Sequence, residues 1–379
     1  MGGRALLGGP AGGRFRFAHT GSWHVQIAGK RPRPRSEEKA YLVARMKDEM
    51  ARSKGIVPPE AFAEYEQAMA AYERIEVRDD SAEIAKEARP ARDDAELRYW
   101  LESMVVYHRF TAEEVRAVTG LGLADAQAAI TRLRADIAAG PSGSTNSPLR
   151  VMPYPGGRHP RGGFLDGALA PQRESKISVF TPWDPASYVV VDVPEAIHSD
   201  QGLLYLAHTH VPTFWSRQGI NLPRLEWNRR EDGTLDSERN LPNGVRFGAS
   251  IVPGQRSVRM ELWLHNGSDR VLRDLRVQNC VMLKAAAGFS AQTNQNKRLR
   301  SPFAAASSDD GRRWIITAWD SVDRTWANPP VPCMHSDPKF PDCPPGQTQR
   351  LRGGLWFYEG DDLDAELKRI EATGWHAAK

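Results

Sequence analysis

Leu206-Ala-His208-Thr-His210 carries the sharpest chemical pattern in the chain. On an extended segment, residues i and i+2 point to one face, so both imidazoles can reach a single metal ion. Glu226 follows and can add a carboxylate. The competing reading is two ordinary histidines hydrogen-bonded at a strand end. A second group of potential ligands, Cys333-Met-His335-Ser-Asp337, runs on to Asp342-Cys343. Structural zinc usually takes a tight Cys-x2-Cys pair, which is absent there. The segment therefore reads as a proline-rich loop, with a Cys333–Cys343 bridge left open. His335 stands as a third ligand or an acid–base group folded over the pair. The catalytic candidates are thus His208, His210, Glu226 and His335, with His208 and His210 as ligands of a divalent metal.

Around these stand groups suited to an uncharged polar ligand. Nine of the eleven tryptophans follow residue 150. Sugars bind through C–H groups on aromatic faces and through a few fixed polar groups in apolar walls. Trp263, Trp314 and Trp356 read as core, whereas Trp227 and Trp326 sit beside polar residues in loops and are candidates for stacking. Asn228 neighbours Trp227, and Asn294 belongs to an amide-rich run. Asn279 falls on the apolar face of Val277-Gln-Asn-Cys-Val281, where an amide costs free energy unless it is hydrogen-bonded. Cys280 reads as a buried thiol. No serine nucleophile elbow, phosphate loop or dinucleotide fingerprint is present.

The elements that position these residues divide the 379-residue chain in two. Residues 1–35 hold seven basic side chains and no acidic one, against a formal net charge of +4, so the remainder carries −3. They read as a basic, disordered arm. Residues 36–140 are helical. Ser36 caps a helix over 36–53, and another starts at Pro58-Pro59, where the first turn has no N–H partner to lose. Thr111-Ala-Glu-Glu114 is a capping box. Gly120 breaks that helix, and Leu123, Ala126, Ile130, Leu133 and Ile137 form the stripe of the next. Helix, glycine turn and helix resemble a helix-turn-helix. Its segment, 93–140, is net acidic, which disfavours phosphate contact. Residues 141–163 read as linker.

From 164 to 379 the period switches from helical to two. Ile177–Phe180, Tyr188–Val193, Leu203–Ala207, Val245–Val252, Val258–His265, Leu275–Leu283, Trp314–Trp319 and Leu351–Tyr358 read as strands. Asn266-Gly267 reads as a tight hairpin turn with positive backbone dihedrals. A helix over 362–372 finishes the chain. The fold class is α+β in two parts: a helical N-terminal region with a helix-turn-helix-like unit, then an antiparallel β-sandwich. No apolar run is long enough for a membrane helix, and three cysteines without a disulfide framework fit a reducing compartment, so the expected location is cytoplasmic.

The stretch Pro344-Pro-Gly-Gln-Thr-Gln-Arg-Leu-Arg-Gly-Gly-Leu-Trp-Phe-Tyr358 and the strand Arg259–Asn266 resemble galactose-mutarotase-like β-supersandwiches. That resemblance implies a sugar-active or sugar-binding module with histidine and carboxylate groups in a concave sheet. The leading expectation is carbohydrate or similar polar-ligand binding, with metal-assisted sugar chemistry as its enzymatic form. The alternative is a transcriptional regulator with a β ligand-sensing domain.

Overall fold

The computed structural model describes residues 4–7, 16–19, 34, 36–77, 88–138, 148–156, 173–207, 211–328 and 331–377. The chain separates into two compact units, 1–83 and 84–379. In the first, β1 (Arg4–Leu7) pairs antiparallel with β2 (Arg16–His19). Helices α1 (Ser36–Ser53) and α2 (Pro59–Arg74) form a hairpin. Lys39 Nζ of α1 donates to the carbonyls of Glu73 and Ile75 at the end of α2, satisfying groups a helix terminus leaves open.

The second unit opens with α3 (Asp94–Leu101), continued by a π-helical turn over Glu102–Tyr107, then α4 (Ala112–Thr119) and α5 (Leu123–Ala138). The capping box forms as its sequence predicts: Glu114 N donates to Thr111 Oγ1 at 3.3 Å, and Thr111 N to Glu114 Oε2 at 2.8 Å. Gly120 ends α4 in the left-handed region. Trp100, Met104, Val115, Val118, Ala126, Ile130 and Leu133 close a small core, while the ends of the predicted stripe, Leu123 and Ile137, are exposed. Thr111→Ala is expected to lower stability by about 1 kcal/mol, measured by denaturant unfolding, with Thr111→Ser close to wild type.

The β region follows the alternating pattern and adds strands to it. In chain order they are β3 (Val151–Pro153), β4 (Lys176–Phe180), β5 (Tyr188–Asp192), β6 (Ala196–Ser199), β7 (Gly202–Leu206), β8 (Asn228–Arg229), β9 (Leu235–Asn240), β10 (Val245–Pro253), β11 (Ser257–Asn266), β12 (Val277–Gln278), β13 (Cys280–Met282), β14 (Lys297–Arg300), β15 (Phe303–Ser307), β16 (Arg313–Trp319), β17 (Val322–Trp326), β18 (Cys333–Pro338) and β19 (Thr348–Glu359). An eight-stranded antiparallel sheet, β14-β15-β16-β19-β11-β10-β9-β8, faces a six-stranded one, β17-β18-β13-β5-β4-β3; β12-β6-β7 forms a smaller third sheet. One core joins the inner faces, with Val258, Met260, Leu262 and Leu264 of β11 pointing inward. Helix α6 (Leu363–Ala372) lies on the outer face of the large sheet, packing Leu367 and Ile370 against Phe303, Ile316 and Trp356.

Two local expectations are corrected. The Cys333–Pro338 segment is a strand between β13 and β17, all six residues buried, and Cys333 and Cys343 form no disulfide. Its side chains are polar on both faces, so no alternation marks it. Asn266-Gly267 is not a positive-φ hairpin turn: among the described residues neither has positive φ. Asn266 instead ties down the loop, donating to the carbonyls of Arg270 and Cys343 and accepting from Ser268 N. Glycine is required at 267 because a Cβ there would come within 2.2 Å of the Gly244 carbonyl oxygen.

Candidate functional site

Strand register assembles a polar row on the outer face of the six-stranded sheet. Trp326 pairs with His335, His335 with Cys280, and Asp192 with Lys176; Cys280 is next to Val281, which pairs with Val191. Directly paired residues of antiparallel strands share a face, so the row runs from β17 to β4. At one end Lys176 Nζ meets Asp192 Oδ1 at 2.8 Å, both side chains wholly buried. At the other, the Trp326 and His335 rings stack, 4.1 Å between centroids.

Asp337 organises that second end. Its Oδ2 accepts from Trp326 Nε1 at 2.6 Å and Arg324 Nε at 2.9 Å; its Oδ1 accepts from Asn279 N at 3.0 Å and lies 3.4 Å from His335 Nδ1. The other imidazole nitrogen, Nε2, faces Cys333 Sγ at 3.7 Å. Burial by itself would depress the His335 pKa. The contacts with Asp337 and Cys333, and the charges of Glu195 and Asp337, overcome it and hold the value at about 9.

Four of the residues singled out in the sequence meet here. His335 and Trp326 are in contact, and the buried Asn279 shares their carboxylate. Asn294 Nδ2 donates to the carbonyl of Ala327, next to Trp326, at 3.4 Å. The Asn279 carboxamide makes no hydrogen bond among the described residues, although it is only 3% exposed. Trp326 ends β17 rather than sitting in a loop.

The others go elsewhere. Glu226 is exposed and bridges Arg89 at 2.9 Å and Arg173 at 3.1 Å. Arg89 also pairs with Glu174, and the Arg173 guanidinium lies over the Trp100 ring at 3.8 Å, so this network staples the helical segment to the sandwich. Burial pulls the Arg173 pKa down to about 10 against the pull of Glu226, with the Arg89 charge adding to the fall. Trp227 is no stacking platform: it is buried in the core, its Nε1 donating to Lys176 O at 3.0 Å. Asn228 is exposed on β8, at the edge of the other sheet. His208 and His210 lie outside the described residues. Sequence reasoning missed Cys280 as a partner of His335, because only strand register brings positions so far apart in the chain together.

The open cleft is on the outer face of the large sheet. It has a volume of about 960 Å³, floored by β10, β11 and β19 and walled by α6 and the residues after it. Trp356, Tyr358 and Trp375 supply its aromatic surface, with Trp356 and Trp375 edge-to-face at 5.5 Å. The Trp356 ring lies across Gly354, where a Cβ would approach it to 2.3 Å. Glu261 is held by Arg350 and, at 3.8 Å, by Arg352. Arg256 and Arg259 line the cleft and are exposed, and among the described residues neither is in an ion pair. Trp356 was read as core from sequence; it is nearly buried yet contributes an edge to this wall.

The helix-turn-helix-like pair does not carry the charge that DNA contact needs. The exposed side of α5 offers Arg132 and Arg134 against Asp125 and Asp136, and Asp136 is taken by Arg98 at 2.6 Å. No helix among the described residues is long and apolar enough to cross a membrane.

No family profile matches the chain, and no curated protein matches it. Among solved structures it is similar to a protein named as a kojibiose phosphorylase from the human microbiome (TM-score 0.33, 6% identity, 50% of this chain and 26% of that one). It is also similar to a mutant of the heparan sulfate lyase HepC from Pedobacter heparinus (TM-score 0.32, 10% identity, 86% and 52%). A third is the GalM/aldose epimerase homologue from C. elegans (TM-score 0.30, 8% identity, 50% and 93%). The chain spans about a quarter of the first of these proteins and about half of the second. Each of these likenesses is at 10% identity or below.

Proposed function

We propose that the protein binds a carbohydrate or similar polar ligand, one that carries acidic groups, in the cleft on the outer face of the eight-stranded sheet. The observation behind this reading is the composition of that cleft: three aromatic side chains beside Arg256 and Arg259, which have no ion pair among the described residues. Aromatic faces take the C–H surface of a sugar ring, while unmatched guanidinium groups favour a carboxylate or sulfate on it. Trp375 lies on the cleft wall, half-exposed and able to stack without being part of the sandwich core.

Titration with uronic-acid oligosaccharides and their neutral counterparts, followed by calorimetry, tests the reading. Binding of the acidic set is expected, weakened about tenfold by Trp375→Ala or by Arg259→Ala, a loss of about 1.4 kcal/mol each. Indifference to both substitutions, or equal affinity of the wild type for acidic and neutral sugars, would refute it.

A further inference from the structure

The outer face of the six-stranded sheet holds a second site, distinct from the cleft. We propose that Cys280, Cys333 and His335 bind a metal ion of the zinc class. The Sγ atoms of Cys280 and Cys333 and a ring nitrogen of His335 lie within 4.8 Å of one another, all three residues buried. A carboxylate oxygen of Glu195, one of Asp192 and the same Cys280 Sγ form a second such group. Asp192 in that group meets Lys176, and Glu195 Oε2 accepts from Gln278 Nε2 at 2.9 Å.

Tetrahedral zinc, with bonds of about 2.3 Å to sulfur and about 2.0–2.1 Å to nitrogen, sets neighbouring sulfur and nitrogen ligands about 3.6 Å apart. Cys333 Sγ and His335 Nε2 are 3.7 Å apart. The imidazole is also oriented as a ligand would be. Nε2 faces the thiol, and Nδ1 faces Asp337, whose carboxylate is fixed by Trp326, Arg324 and the Asn279 amide. A carboxylate on the far nitrogen is the arrangement that sets the tautomer and ring orientation of metal-binding histidines.

The donor set decides the metal class. Two thiolates and an imidazole favour zinc over the hard cations magnesium and calcium, which take oxygen. Three buried ligands on two paired strands describe a site whose metal would pin β13 to β18.

The test uses the full chain, purified under reducing conditions and dialysed. Elemental analysis is expected to give about one zinc per chain. Cobalt added to metal-stripped protein is expected to give the thiolate-to-cobalt absorption and intense visible bands of a tetrahedral sulfur site, a readout that requires no variant. Cys333→Ser and His335→Gln should lose the metal, while Cys343→Ser, whose thiol lies beside the Gln347 carbonyl, should keep it. The proposal is overturned if the reduced wild type takes up neither zinc nor cobalt at micromolar concentration. It is equally overturned if cobalt binds without a thiolate band, or if the metal survives Cys333→Ser and leaves with His208→Ala.

Discussion

Lys176→Met is expected to destabilise the protein by about 3–5 kcal/mol, the usual cost of removing one partner from a buried ion pair. Lys176 and Asp192 are both wholly excluded from solvent and meet at 2.8 Å. Methionine fills much the same space, so the loss would arise from the charge rather than from a cavity. Asp192 would remain buried close to the Glu195 carboxylate and the Cys280 thiol, with its counter-charge gone. Pairing the substitution with Asp192→Leu should recover most of the stability, because well-packed apolar pairs replace buried ion pairs at little cost. Denaturant midpoints of the two single variants and the double variant check this. Additive losses in the double variant would mean that the residues act independently, contrary to the geometry.

His108→Ala should cost about 3–4 kcal/mol and loosen the helical segment from the sandwich. This side chain, 1% exposed, connects the two parts of the second unit: Nε2 is 2.7 Å from Ser178 Oγ on β4, and Nδ1 is 2.7 Å from the Ser103 carbonyl oxygen in the π-helical turn. Its ring is ringed by Phe110, Tyr154, Phe180 and Tyr188, with Tyr188 closest at 4.7 Å. Alanine would leave a void among four aromatic rings and deprive the buried Ser178 hydroxyl of this partner. Beyond the stability loss, protease cleavage should appear within 94–138 at concentrations that leave the wild type intact. If the variant unfolds in one step with no early cleavage, the helices and sandwich do not separate there.

Residues governed by local physics were legible in the sequence. The Thr111–Glu114 box, the Gly120 break and the bounds of α1 depend on neighbours within a few positions, and they appear where they were expected. The β11 alternation was legible because one of its faces is core and the other is not. β18 was not, since burial on both faces with Cys, His, Ser and Asp removes the contrast that alternation relies on. The same strand explains why the candidate ligand set was noticed only in part. His335 was noticed beside its chain neighbour Cys333, yet its cross-strand partner Cys280 lies on a strand paired only through folding. Conversely, Glu226 and Trp227 are adjacent in sequence but part company in the fold: one ties arginines at the surface, the other fills the core. Nothing in the local pattern separates those two outcomes.

Among the described residues, the two large sheets have four edge strands that could recruit another chain, and each is blunted differently. β8 offers only two residues. β14, Lys297-Arg298-Leu299-Arg300, meets an incoming strand with like positive charge. β17 has a register irregularity between Val322 and Arg324 that breaks the ladder at the rim. β3 is three residues long and ends in Pro153, which has no N–H to offer. Short length, charge, a bulge and proline are the devices by which β proteins resist edge-to-edge pairing. The sandwich should therefore stay dispersed at concentrations where an unprotected sheet of this width would grow into fibrils.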